Sequence, residues 1–311
     1  LILLTFLWIN IKSYSTVNTY AFMIKKTILI SFTVFNCIFA PIASGQEPVI
    51  PGSVSALKQQ LEKEMKNRHV VGMMFTLVTK DSVLYAGGLG FANLEKKIPV
   101  NGNHLFRGAS ITKLFVSLGI LNLVKEGKLA TNTKLKEIAP EVPFRNKWEA
   151  TNPVTIAELM EHSTGFSDKS PFEEYNFSGR EFAGLEGLRV FQQFMVSKWK
   201  PGESHSYSNV NYMILSYIIE KISRKSINNY LRENVFAPLG MPFANVNLKE
   251  DGTDAYCKGY LWKEDHFSAL PHQPQFNAGN GSLNASAIDY AHSLQAFLNG
   301  WKTASGQFLS E

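Results

Sequence analysis

From Ile111 to Val124 the chain is almost unbroken apolar: Leu114, Phe115, Val116, Leu118, Ile120, Leu121, Leu123 and Val124. Such a run reads as one helix, and a helix apolar on every side is a buried helix that others must surround. Gly127 is placed to stop it. One charge interrupts the run. Lys113 sits in its first turn, and a buried lysine is costly enough that its presence calls for a reason.

Ser110 supplies a candidate reason. A serine hydroxyl is a weak nucleophile until a neighbouring group takes its proton. A lysine can do so if burial lowers its pKa by disfavouring the charged form. Residues three apart on a helix share a face, so Ser110 and Lys113 are neighbours. Ser110 also lies where the buried helix begins, and there free N–H groups and the helix dipole favour a developing negative charge. The spacing recurs at Ser55–Lys58 and Ser197–Lys200. Ser55 opens an amphipathic helix with Lys58 toward water, and Ser197 ends a helix beside the solvated Lys198 and Lys200. Only Lys113 is embedded in an apolar helix. A lysine snorkelling from the first turn is the competing structural role.

A second constellation is Tyr207-Ser208-Asn209, the only Tyr-x-Asn in the chain. It falls in a loop just before a helix, where functional side chains are often presented. A phenol can shuttle a proton if a cation holds its phenolate, and Asn209 offers a donor and an acceptor to a substrate amide. Asn209 as a simple helix cap is the alternative.

Along the chain, Ser53 or Ser55 caps a helix with Val54, Leu57, Leu61 and Met65 on one face. Residues 72–79 and 83–86 form a hairpin around Lys80-Asp81-Ser82. Residues 101–109 are extended or looped. A short helix at 156–160 ends at Gly165, and residues 166–180 form a long loop. Helices are expected at about 181–197, 211–223, 226–236 and 285–299, with mixed structure over 241–270. Two strands alone make a poor sheet, so either the middle region supplies more or the chain is incomplete.

The net charge of +5 overstates the basicity, because residues 1–45 carry three lysines and no acid. A near-neutral body argues against nucleic-acid binding, which needs a concentrated basic face. From Met23, Lys25-Lys26, the apolar run 27–40 and Ala43-Ser44-Gly45 read as a signal peptide over 23–45, with an uncleaved anchor as the rival. Residues 1–22 are then an upstream extension with no structure of their own, and no stable membrane span is expected after cleavage. Cys37 lies in the signal and Cys257 is left alone, so no internal disulfide is expected. The seven scattered histidines show no metal-ligand spacing, and neither a metal nor another cofactor is expected. A Gly-x-Ser-x-Gly elbow is absent. Gly87-Gly88-Leu89-Gly90 marks a strand bend rather than a dinucleotide site.

Phe106-Arg107-Gly108-Ala109-Ser110-Ile111-Thr112-Lys113 resembles the active-site segment of the serine β-lactamase and penicillin-binding-protein superfamily. Tyr207-Ser208-Asn209 resembles its second motif in the form found in class C β-lactamases and related carboxypeptidases and esterases. Residues 155–166, 236–241 and 278–283 resemble supporting segments, and the resemblance covers about residues 53–311. It implies Ser110 as acylated nucleophile, Lys113 as proton acceptor, Tyr207 as general base and acid, and Asn209 as a substrate-amide contact. It also implies an oxyanion hole with the Ser110 N–H as one donor, and His162 as a structural neighbour. The implied fold is α/β (α+β), an antiparallel sheet flanked by helices, with a helical subdomain at about 125–270 inserted in a domain spanning 46–311. The family's third motif, Lys-Thr-Gly or His-x-Gly on a strand, has no match. Lys302-Thr303-Ala304 lacks the glycine and reads as a post-helix loop, so closing C-terminal strands are expected to lie beyond Glu311. The expected protein is a monomeric periplasmic or secreted hydrolase of β-lactams, D-amino-acid peptides of the cell wall, or small esters. A non-hydrolytic penicillin-binding sensor and a catalytically inactive fragment are the alternatives.

Overall fold

The computed structural model describes residues 2–5, 52–170, 173, 175–178, 182, 184–247, 252–303 and 306–309. The expected signal peptide and Cys37 lie outside them. In chain order the strands are β1 (Ile2–Thr5), β2 (Gly72–Val78), β3 (Val83–Asn93), β4 (Ile98–Pro99), β5 (Phe106–Ala109), β6 (Tyr260–Lys263), β7 (His266–Ala269), β8 (Leu283–Ala285), β9 (Lys302–Thr303) and β10 (Gly306–Gln307). The helices are α1 (Val54–Asn67), α2 (Thr112–Lys125), α3 (Leu135–Ile138), α4 (Ile156–Met160), α5 (Gly184–Arg189), α6 (Asn209–Ser223), α7 (Ile227–Leu231) and α8 (Ala287–Leu298).

The main sheet runs β1-β2-β3-β4, antiparallel throughout. Alternation along β2 sorts its side chains to two faces. Met73 and Phe75 pack with Leu89 under α1, against Met65, Leu57 and Leu61. Val78 faces α8, meeting Ala291 and Leu294. Thr76, on that same face, donates from Oγ1 to the Ala287 carbonyl at 2.8 Å. Ser53 caps α1 by accepting from the Ala56 N–H. Ser286 and Asp289 form a reciprocal capping box on α8.

Helix α2 is the hub, packed by α6, α7, the π-helical turn Arg232–Phe236 and the 3₁₀ turn Ala278–Asn280. Phe115 meets Phe236 edge-on at 5.4 Å, and Tyr230 donates to the Gly119 carbonyl. The helix stops where expected. Gly127 takes φ +70°, its N–H bonds Val124 O, and the Lys128 N–H bonds Leu123 O, a left-handed cap that satisfies the last carbonyls.

Several expectations are corrected. Residues 2–5 do form structure, as β1 on the free edge of β2. The extra strands of the main sheet therefore come from residues 2–5 and 98–99, not from the middle region. The expected helix at 181–197 is only α5 plus a 3₁₀ turn at Gln192–Phe194. Strands β6 and β7 form a hairpin within 241–270, the stretch expected to be mixed, so the subdomain at about 125–270 is helical only in its earlier part. Helix α2 is not buried all round: Leu114 is 47% exposed. Lys302-Thr303 is a two-residue strand rather than a loop.

Candidate active site

Ser110 is aimed by a break in a strand. β5 pairs antiparallel with β8, and its register slips between Arg107 and Ala109. Ala109 then takes φ +44°, a left-handed conformation that side chains other than glycine adopt rarely. Thr112 holds the kink. Its Oγ1 donates to the Ala109 carbonyl at 2.6 Å and accepts from the Leu283 N–H at 2.9 Å. Ser110 emerges exposed at the start of α2.

One turn on, Lys113 is 6% exposed. Its ammonium has three hydrogens, and Nζ has three acceptors: Ser110 Oγ at 3.2 Å, Asn209 Oδ1 at 2.8 Å and the Asn280 carbonyl at 2.6 Å. The Tyr207 and Tyr212 rings lie 4.9 and 5.7 Å from the same nitrogen. Bonding to the charge in this way offsets the cost of burying it. It also excludes the snorkelling role, since the side chain turns inward.

Tyr207 approaches from the other side, with its hydroxyl 2.8 Å from Ser110 Oγ. Tyr212 also faces Lys113, somewhat farther off, but its hydroxyl is engaged elsewhere, by the Met160 carbonyl and Ser117. Burial pushes the Tyr212 phenol up. Of the two, only the half-exposed Tyr207 reaches the serine.

The Tyr207 loop is held by His162. The ring lies tilted by 35° against that of Tyr207 with centroids 4.5 Å apart, and its Nδ1 accepts from the Ser208 N–H at 3.2 Å. The Asn211 amide lies 3.3 Å from the same nitrogen, which assigns the proton to Nε2. Burial foremost, then the charges of Lys113 and His205, push this imidazole down to about 4. His162 is therefore neutral near pH 7 and props the loop, in keeping with the structural part expected of it.

The structure thus brings Ser110, Lys113, Tyr207 and Asn209 into one connected network. Two members were not singled out as site residues from the sequence. The Asn280 carbonyl is a backbone group, and its only signal was the Gly/Asn-rich run Asn277–Ser282. Asp168 lies in the loop 166–180. Its Oδ1 accepts from the Asn209 N–H at 2.9 Å and its Oδ2 from the Asn209 amide at 3.1 Å. The other Ser-x-x-Lys pairs build nothing comparable. Lys58 is half-buried over the Tyr85 ring rather than facing water, and Ser197 donates to the Thr164 carbonyl. Lys302-Thr303 pairs with β10, whose Gln307 carbonyl binds Lys125 at the far end of α2. That end lies about 22 Å from Ser110 at 1.5 Å per residue. Among the described residues no cluster of His, Cys, Asp or Glu could hold a metal ion, and no helix is long and apolar enough to cross a membrane.

Serine, lysine and tyrosine within hydrogen-bonding reach of one another at the start of helix α2 form a site of serine-hydrolase type. The beta-lactamase family matches residues 57–310, and the chain belongs to that family. Penicillin-binding protein 4* of Bacillus subtilis (strain 168) is 28% identical over 217 residues, 64% of this chain and 47% of that protein. The chain spans about half the length of the curated relatives it matches. The octameric penicillin-binding protein homologue from Pyrococcus abyssi superposes with a TM-score of 0.69 at 24% identity, covering 83% of this chain and 58% of that one. EstCE1, described as a hydrolase with promiscuous acyltransferase activity, does so at 0.66 and 16% identity, covering 81% and 74%. These two likenesses speak to the fold, and they agree with the expected mixture of helices and antiparallel sheet.

Proposed function

We propose that the chain is an exported serine hydrolase acting through a covalent Ser110 acyl-enzyme on β-lactams, D-amino-acid peptides or small esters. The observation that carries this reading is the position of Ser110 Oγ between Lys113 Nζ and the Tyr207 hydroxyl. In the proposed reaction the Ser110 proton passes to the Tyr207 oxygen, whose phenolate form the Lys113 ammonium stabilises, so Lys113 acts through its charge rather than as the proton acceptor that the resemblance implies. Oγ then bonds to the substrate carbonyl carbon. The negative charge on the carbonyl oxygen develops at the N-terminus of α2, where backbone N–H groups favour it. Tyr207 returns the proton to the leaving group as the carbonyl–leaving-group bond breaks. Water resolves the ester by the same exchange in reverse. Asn209 retains one amide hydrogen and one lone pair for a substrate amide. Export rests on residues 23–45 as a signal peptide, and places the substrate in the periplasm or outside the cell.

The test compares the unmodified chain with Ser110→Ala toward a fluorescent penicillin and a nitrophenyl ester. The reading expects covalent labelling and an ester burst that disappear together in the variant. Identical behaviour of the two proteins would sink it. A burst with no turnover would identify the penicillin-binding sensor instead.

A further inference from the structure

We infer that Asp168 is a positioning residue for the reaction: its carboxylate fixes which way the Asn209 amide faces, and so keeps an acceptor rather than a donor against Lys113. The inference rests on the reading of Ser110 as nucleophile. An asparagine side chain fits its site in two orientations that exchange oxygen for nitrogen, and only its partners choose between them. Here one end of the Asn209 amide meets the Lys113 ammonium at 2.8 Å and the other meets Asp168 Oδ2 at 3.1 Å. An ammonium only donates and an ionised carboxylate only accepts. One orientation therefore satisfies both partners, and the flipped one sets NH2 against NH3+ and oxygen against oxygen.

The clasp is built from two directions. Asp168 Oδ1 takes the Asn209 backbone N–H at 2.9 Å, so the carboxylate also serves the otherwise unpaired first turn of the fifteen-residue helix α6. The same oxygen accepts from the Lys169 N–H at 2.9 Å, which ties the carboxylate to its own loop. Ser208 Oγ ties α6 to that loop through the Ser167 carbonyl. Asp168 touches neither Ser110 nor Lys113 in any of these contacts. The Asp168 charge also acts on His162, so the part of its influence that runs through Asn209 is isolated by an exchange of the two side chains that keeps the net charge.

Asp168→Asn is nearly isosteric and keeps one oxygen for the Asn209 backbone. Its new NH2 faces the Asn209 amide and favours the flipped orientation, which removes one of the three acceptors of Lys113. The exchange Asp168→Asn with Asn209→Asp restores every bond with the same net charge. The amide introduced at position 168 then donates to one oxygen of the carboxylate introduced at position 209, whose other oxygen accepts from Lys113. Burst acylation of the full chain by 4-nitrophenyl acetate reads this out, because that substrate has no amide for position 209 to recognise. Asp168→Asn is expected to acylate about 10- to 100-fold more slowly, the loss of one bond to a charged group, with KM within about threefold. The double exchange is expected to recover to within about fivefold of the unmodified chain. Acylation by Asp168→Asn within about twofold of the unmodified chain, or a double exchange that is folded but no faster than Asp168→Asn, overturns the inference. If thermal melts show Asp168→Asn unfolded, the double exchange decides: recovery supports the clasp, and loss of acylation overturns it. Absence of a Ser110-dependent burst in the unmodified chain is a different result, and contradicts the nucleophile reading itself.

Discussion

Gly279→Ala should damage the site without touching any side chain in it. A Cβ at Gly279 would stand 2.4 Å from Ser216 Cβ, 2.5 Å from Ser216 Oγ and 2.6 Å from the Tyr212 carbonyl. None of these can yield. The carbonyl is helix backbone, and Ser216 Oγ is pinned by the Met213 carbonyl and Asn277 Oδ1. Relief to an ordinary 3.4 Å contact requires the 278–280 turn to withdraw by about 1 Å. The next residue carries the carbonyl that binds Lys113 at 2.6 Å. A withdrawal of about 1 Å stretches that bond beyond useful length. Overpacking of this kind costs about 1–3 kcal/mol, or roughly 2–12 °C in Tm for a chain of this size. Losing one acceptor of the ammonium should slow acylation about 10- to 100-fold. A thermal melt and a stopped-flow ester burst measure the two effects. A variant that melts within about 1 °C of the unmodified chain and acylates at its rate would refute the claim that the turn is seated rigidly on α6.

His162 is pushed down to about 4, below the ordinary histidine value near 6.5, so the unfolded chain binds more protons between those limits. Its contribution to stability is complete above pH 6.5 and is lost as pH falls toward 4, a span on the order of 3 kcal/mol. His162→Asn keeps an acceptor near the Nδ1 position and tolerates φ +58°; urea melts from pH 7 to 4 should show a shallower decline than in the unmodified chain, and an equal decline would assign the acid sensitivity to other groups. Ser286→Ala removes the cap of α8 and one partner of the buried Asp289 carboxylate. Its urea midpoint should fall by the equivalent of about 1–3 kcal/mol with an unchanged slope, and no fall would mean that Asp289 alone sustains the helix start.

The parts of the site legible in the sequence were side chains whose type and spacing carry chemistry. Ser110 and Lys113 stood out because a charge interrupts an apolar helix, and Tyr207-Ser208-Asn209 because nothing else in the chain repeats it. Helices α2, α4, α6 and α8 were legible for a similar reason, each being marked by periodic apolar residues or by a cap. What escaped was set by tertiary geometry. The Asn280 carbonyl has no sequence signature of its own, and Asp168 is one carboxylate among many until α6 is laid beside it. The overextended helix at 181–197 shows the opposite error: its residues suit a helix, but Arg145 pairs with the end of that segment, the Arg145 N–H donating to the Met195 carbonyl. The edge strand β1 was missed because the four residues Ile2 to Thr5 say nothing about a distant sheet edge that is open to pair with them. The exposed Leu114 departs from the all-round burial expected of α2. It lies one turn beyond Ser110 on the same face, so the reacting face of α2 is not covered at that turn.

The central claim is that Ser110 becomes acylated, with its proton accepted within the Lys113–Tyr207 pair. Rapid acid quenching during turnover of a nitrophenyl ester, followed by peptide mass mapping, tests it most directly. The account predicts one acyl group on the peptide carrying Ser110, with Tyr207→Phe slowing its appearance and Ser110→Ala abolishing it. An acyl group on Tyr207 or Lys113, or one that persists in Ser110→Ala, would contradict it.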